Sequence, residues 1–505
     1  MSKKLSELVP ELALTTDMAI SGVCDDSRRV KAGDLYLATS GGVHDARDHV
    51  DEVMQIAAAA ICEAPFDSRH AQVFEMSDLQ AQKGPIASRF WGEPSTRMIV
   101  VGITGTNGKT SCSHFIAQAL TTLGKKCGVV GTLGFGFLGD TLQDSGMTTP
   151  GAIELQRMLG VLVNDQALAV TVEASSHGLV QGRLNGTDIN FAVFTNISRD
   201  HLDYHRTFAE YAAAKSLLFL WPGLRGAIVN LDDKFGQQLI TELPATVQPI
   251  SYAISNNAAD VFCHSVAYSN QGFEAVLVTP WGQGLLQSPL LGEFNVSNML
   301  AVVAVLGLAG YELPAILDAA ASLKNVRGRM DAISAPGLPQ VVIDYAHTPD
   351  ALEKALKTLR VNCEGQLWCV FGCGGDRDKG KRAEMGRIAS DCADHTVITD
   401  DNPRTEDSSA IISDIRRGVS SDTVVTVEAN RRQAIALALQ SAATNDMVLI
   451  AGKGHEEYQE INGQRQAFSD YVEVAKCLSE IQAKRGTSTA LGKVLDNVIN
   501  QSDAG

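Results

Sequence analysis

The sequence predicts an α/β protein with mostly parallel sheets, divided into three domains. Three observations carry this. Residues 97–111, RMIVVGITGTNGKTS, pass from an apolar, β-branched run through a glycine-containing break into the helical pattern SHFIAQALTTL. From residue 341 to 452 strand-like runs alternate with helical ones (VVIDYA, DALEKALKTL, QLWCVFG, KGKRAEMGRIA, HTVITD, DSSAIISDIRRG, DTVVTV, RRQAIALALQSA, MVLIAG), the pattern of βαβ units. The length of 505 residues leaves room for roughly three domains at about 150 residues each.

Composition narrows the function. A net charge of −16 argues against a nucleic-acid or anionic-membrane surface, so anionic ligands must be met by local Arg and Lys clusters. The ten cysteines are scattered without a CxxC pair, as expected of reduced thiols in the cytoplasm. MSKKLSELVPELAL has no unbroken apolar core for a signal peptide, and the run 299–309 is far short of the ~20 residues of a membrane span. Residues 486–505 read as a polar tail.

Residues 1–96 form a first unit, ending at Gly92-Glu93-Pro94-Ser95. Its stretch CDDSRRVKAGDLYLATSGGVHDARDHV has two readings, a phosphate or sugar-nucleotide clasp and a solvated β-hairpin. Residues 97–325 form the second unit. In Gly105-Thr106-Asn107-Gly108-Lys109-Thr110-Ser111 the glycines let backbone N–H groups turn toward phosphate oxygens, Lys109 adds charge and Thr110 a hydroxyl for Mg2+. Met147-Thr148-Thr149-Pro150 reads locally as a helix cap before GAIELQRML. A strand from Ala167 delivers Glu173, either to a triphosphate-bound metal or as a helix cap. A third strand, 191–195, leads to His201, Asp203 and His205, with Lys215 ten residues later. Asn295 and Asn298 stand at the start of a helix that is apolar nearly all round.

Residues 326–485 form a Rossmann-like unit without the G-x-G-x-x-G fingerprint, entered through Arg327 and Arg329. Three charged loops follow its strands: Gly372-Cys373-Gly374-Gly375-Asp376-Arg377, Asp400-Asp401-Asn402-Pro403-Arg404 and Gly452-Lys453-Gly454-His455-Glu456. Arginines and an acid at strand ends suit a zwitterionic amino acid, the guanidinium pairing with carboxylate and Glu456 accepting an ammonium.

GTNGKT, then TTP, then EASSHGL-x-Q-x-R, then NISRDHLDYH with its following lysine resemble the central domain of the Mur ligase family. The resemblance runs to about Lys484 and implies three domains: UDP-sugar-binding (1–96), ATP-binding (97–325) and amino-acid-binding (326–485). It implies an ATP-dependent amide ligase working through an acyl phosphate in cytoplasmic peptidoglycan precursor synthesis. Lys109, His201 and Lys215 would be catalytic, and Gly105 to Ser111, Asn298 and Arg329 would meet ATP. Two Mg2+ ions would be held by Thr110, Glu173, His201 and a CO2-derived carbamate on Lys215. Ser27, His44, Asp45 and Ala46 would hold the nucleotide of a UDP-muramyl peptide, and Thr148, Thr149, Ser175, Gln181 and Arg183 its peptide. In the family, DNPR marks ligases that add meso-diaminopimelate, which assigns Arg377, Asp401, Asn402, Pro403, Arg404, Gly452 and Glu456 to that amino acid. An arginine facing the distal carbon favours the carboxylate that lysine lacks. The partners implied are these small molecules alone, acting on a monomer. Two other readings stay open: the same ligase adding L-lysine, and a non-catalytic nucleotide-binding module.

Overall fold

The computed structural model of the protein describes residues 2–12, 17–41, 44–269, 271–420 and 424–485. The polar tail at 486–505 and Gly42 of the clasp stretch lie outside them.

Three sheets organise the chain. The first has four parallel strands, Gly22–Cys24, Asp34–Ala38, Ala59–Glu63 and Val73–Met76, in that order. Every residue of Asp34–Ala38 is buried, because an inner parallel strand is covered on both faces. The hairpin reading of this stretch is therefore wrong: DLYLA pairs in parallel with both neighbours.

The second sheet has ten strands. Ile99–Thr104 lies between Ala169–Glu173 and Phe191–Phe194, all parallel, and Cys127–Gly131 and the antiparallel Gly134–Phe137 complete that side. On the other side follow Gly226–Asn230, Gln248–Ala253 and Val261–Ser269, parallel, then Gly272–Thr279 and Gly282–Ser288, antiparallel. The sequence analysis passed over these last five strands. In the antiparallel ones buried and exposed residues alternate, Phe273, Ala275 and Leu277 facing in, so their pattern is weaker than that of the fully buried parallel strands. Helix Glu293–Leu308 packs among the helix Lys109–Thr122 and these strands in one apolar cluster, and twelve of its residues are buried, which explains its lack of a polar face.

The third sheet orders Asp331–Ile333, Gln340–Asp344, Met447–Ala451, Leu367–Phe371, His395–Ile398 and Val424–Val427; only the first pair is antiparallel. Each expected strand and helix of this unit is present among the described residues; Asp422 and Thr423 of the expected strand DTVVTV lie outside them. A hairpin that the sequence analysis did not single out, Tyr458–Ile461 with Gln464–Ala467, follows the last charged loop. Among the described residues no helix is long and apolar enough to cross a membrane.

Candidate active site

The three central parallel strands end side by side, and the phosphate-loop residues rise from the middle one. Gly105 and Gly108 both take positive φ, 151° and 85°. At Gly105 a Cβ would lie 1.9 Å from Thr195 Oγ1, so only glycine fits. The loop is fastened to the segment after Phe191–Phe194. Thr106 N donates to Asn196 O (2.8 Å), Asn107 N to Asn196 Oδ1 (3.0 Å) and Ser198 N to Thr106 Oγ1 (3.0 Å). Helix Lys109–Thr122 begins directly afterwards, with its N-terminus and positive dipole end at the loop.

Two lysines converge here. Lys109 Nζ donates to the carbonyls of Gly105 and Thr106 at 2.9 Å each, and Lys215 Nζ donates to the same Gly105 carbonyl at 2.8 Å. Neither forms an ion pair among the described residues. Lys215 projects from helix Phe208–Ser216 and is 1% exposed. Burial and then the nearby Lys109 charge push its amine well below the ordinary lysine range, against the pull of Asp200. Burial also lowers Lys109, with Glu173 and Asp200 opposing.

Glu173 closes the other side. Its carboxylate accepts from Thr110 Oγ1 (3.1 Å) and from Thr132 N and Oγ1 (2.9 and 3.0 Å). Gly131 leaves room for it, since a Cβ there would lie 2.2 Å from Glu173 Oε1. The following helix is capped by Ser175, so the helix-cap reading of Glu173 falls. The cap reading of Thr148 and Thr149 falls too, because helix Ala152–Asn164 starts at Gly151 without a side-chain cap. Thr148 Oγ1 instead meets Thr132 Oγ1 (3.0 Å), and Thr149 Oγ1 donates to Glu173 O (2.6 Å) and lies 2.9 Å from Ser175 Oγ. Arg183 donates to Thr149 O and Gln181 Oε1, and Gln181 to Tyr204 OH. The five residues expected to hold the peptide therefore form one network reaching Glu173.

His201 adopts φ 55°, a left-handed conformation costly for a non-glycine residue. Its Nε2 lies 3.5 Å from Asp200 Oδ2. Burial drives its pKa down, with Asp200 opposing, leaving a neutral imidazole able to donate a lone pair. His205 bonds instead to Ser176 Oγ. Asp200, passed over in the sequence analysis, is buried and flanked by His201, His347 and Lys381.

Beside the loop a cavity of about 730 Å3 opens, lined by Asn107, Gly108, Ser111, Asn298, Arg329 and Tyr345 among others. It lies between the second and third sheets. Asn298 Oδ1 would be 2.8 Å from a Cβ on Gly108, and Arg329 Nη2 donates to Thr110 Oγ1 (3.0 Å) from across the gap. Arg329 Nε is buried without a hydrogen-bond partner.

The first-unit residues gather at the ends of two adjacent strands. Ser27 sits half-buried in the single turn Ser27–Arg29. Asp45 is tied to Arg47 at 2.6 Å, Ala46 O accepts from Tyr36 OH, and His44 is exposed.

The three loops of the third sheet converge as expected, with one change. Glu456 already accepts from Lys453 Nζ (2.8 Å) and Asn402 Nδ2 (2.9 Å), so an incoming ammonium would join an existing network. Lys453, fully buried, also donates to Asn402 Oδ1; its lone place in a polar loop gave no sequence signal. Gly452, at φ 113°, lets Asp401 approach. Arg404 Nη1 donates to Gly375 O (2.8 Å), with Nε 3.7 Å from Glu460. Pro403 is buried in this loop, and Arg377, exposed, donates to Asp376 O.

No cluster of three or more acidic, His or Cys side chains among the described residues is arranged to hold a metal. The hydroxyl of Thr110 and the carboxylate of Glu173 suit a hard cation at a triphosphate. Lys215 as a free amine does not; as a carbamate it would add oxygen donors beside His201.

The Mur ligase middle domain pattern matches residues 103–306 and the Mur ligase glutamate ligase domain pattern residues 328–454. The chain is 48% identical over 485 residues to the UDP-N-acetylmuramoyl-L-alanyl-D-glutamate–2,6-diaminopimelate ligase of Pseudomonas aeruginosa, covering 95% of this chain and 99% of that one. It is 45% identical over 487 residues to the protein of that name from Coxiella burnetii, covering 94% and 99%. A solved ligase of that name superposes with TM-score 0.70 at 37% identity, covering 95% and 100%. The MurF ligase of Thermotoga maritima in complex with ADP shares the fold, with TM-score 0.63 at 18% identity over 92% and 98%.

Proposed function

The chain belongs to the Mur ligase family, and from that premise we propose that it joins meso-2,6-diaminopimelate to UDP-N-acetylmuramoyl-L-alanyl-D-glutamate in the cytoplasm, forming ADP and phosphate. The observation that carries this beyond the relatives' names is the pair of lysines, half-buried Lys109 and buried Lys215, sharing the Gly105 carbonyl without a carboxylate partner. Lys109, a cation without an ion pair among the described residues, beside a helix N-terminus, is suited to a polyanion.

We assign residues 1–96 to the UDP-sugar, 97–325 to ATP and 326–485 to the amino acid. In this reading Lys109 exchanges its carbonyl contacts for the phosphoryl oxygens and stabilises their charge as the D-glutamate side-chain carboxylate attacks the γ-phosphorus. ADP departs, and the amine of diaminopimelate then attacks the acyl phosphate and expels phosphate. Thr110 and Glu173 would hold one Mg2+ and His201 with a carbamylated Lys215 a second, and these ions would neutralise charge on the triphosphate. A neutral, buried Lys215 amine is the form that adds to CO2. Thr149, Ser175, Gln181 and Arg183 orient the muramyl peptide, and Arg377, Asp401, Asn402, Arg404 and Glu456 hold the amino acid. Arg404 selects its distal carboxylate.

The test is Mg2+-dependent ADP release with the UDP-muramyl dipeptide and diaminopimelate, followed by mass analysis of the tripeptide product. ADP release without an amide product would overturn the assignment.

A further inference from the structure

Asn196 and Ser198 are bound to the phosphate loop, and the next residues reach the third-sheet body. Arg199 Nε donates to Asp378 Oδ2 (3.0 Å) on the third-sheet body. Asp200 follows, 7% exposed, and then His201 in its left-handed conformation. The Asp200 carboxylate divides its oxygens. Oδ1 accepts from His201 N (2.9 Å), while Oδ2 lies 3.5 Å from His201 Nε2 and 3.9 Å from His347 Nε2. His347 belongs to the third-sheet body, and its ring is fixed by Nδ1–H donating to Tyr345 O (2.8 Å). A buried carboxylate is costly unless paired; this one is paired from two bodies, and both Oδ2 contacts are longer than hydrogen bonds.

We propose that Asp200 is a positioning residue: it holds the His201 backbone and ring, and through His347 it transmits the seating of the third-sheet body to the phosphate-loop site. A carboxylate behind an imidazole fixes ring orientation and tautomer, and here that carboxylate is itself steadied from across the cleft. Approach of the bodies shortens the His347 contact and locks His201; separation frees it. The role in turnover rests on the ligase reading above, whereas the mechanical coupling does not.

The coupling is tested by hydrogen exchange in peptides covering 196–205, with and without a non-hydrolysable ATP analogue and Mg2+. The wild-type protein gains protection. His347→Gln, on the other body, loses at least half of that gain while binding the analogue as before. For turnover, Asp200→Asn and His347→Gln each lower kcat by about 10- to 100-fold, the range for outer-shell partners, and the double variant loses no more than the worse single one. Asp200→Glu, which keeps the carboxylate, recovers part of the loss. Full protection in His347→Gln, or kcat losses that multiply in the double variant, would overturn the proposal. If the wild-type protein fails to make the amide, the ligase reading falls while the exchange experiment still decides the coupling.

Discussion

The phosphate-loop site and the amino-acid site both gather basic side chains beside strand ends, yet they treat them in opposite ways. Lys215, buried, and Lys109, half-buried, rest against carbonyl oxygens with no carboxylate in contact. In the third-sheet body most buried cations have an acid: Lys453 in its loop with Glu456, Arg382 in helix Gly380–Cys392 with Glu406 and Asp414, and Arg431 at the start of helix Arg431–Ser441 with Asp470. The first arrangement awaits negative charge from outside. The second is already balanced, so its ligand must fit a formed network, and selection falls to Arg404, held by Gly375 O while its acid Glu460 stands 3.7 Å away.

If the contrast holds, substitutions at the two sites fail differently. The largest effect is at the unpaired lysines. Lys109→Ala lowers kcat by about 10²- to 10³-fold, the scale for removing one preorganised electrostatic donor, with the melting temperature little changed because no ion pair is broken. Lys215→Ala behaves alike, and short carboxylic acids partly restore it; a silent Lys215→Ala would remove the carbamate from the account.

At a paired cation the loss is in folding. Arg431→Met strands the fully buried Asp470 and costs about 3–5 kcal/mol, read as a fall in the urea midpoint. An unshifted midpoint would erase the distinction between the sites. Arg404→Ala is intermediate: KM for diaminopimelate rises about 10- to 100-fold, as for a lost charge-assisted hydrogen bond of ~1.5–3 kcal/mol, with KM for ATP unchanged.

The smallest effect is in acid. Hydrogen bonds from Arg382 are the main cause holding the Glu406 carboxyl at about 2, from an ordinary 4.5. A depressed folded pKa contributes stability above pH 4.5, lost as pH falls toward 2. Glu406→Gln flattens the stability profile over that window only.

The same contrast explains what could be read from sequence. The phosphate loop is contiguous, and its strand, glycines and helix announce themselves within fifteen residues; Glu173, His201 and Lys215 followed from motif resemblance. The third-sheet loops were legible as strand ends, but their internal pairing was not. Whether Glu456 is free depends on Lys453 and Asn402, and the contact with Asn402 spans 54 residues. Asp200 was missed for a like reason, since His347 and Lys381 arrive from more than 140 residues away. The Thr148-Thr149 hydroxyls misled because serine and threonine before a helix usually cap it, and here tertiary contacts with Thr132, Glu173 and Ser175 took them.

The most direct test of the account is kcat/KM for meso-diaminopimelate and for L-lysine, measured in parallel with ATP, Mg2+ and the UDP-muramyl dipeptide. The account predicts turnover with diaminopimelate, at least about 100-fold above lysine, as expected when a site built to pair a group rejects an analogue lacking it. Equal or faster turnover with lysine would contradict it.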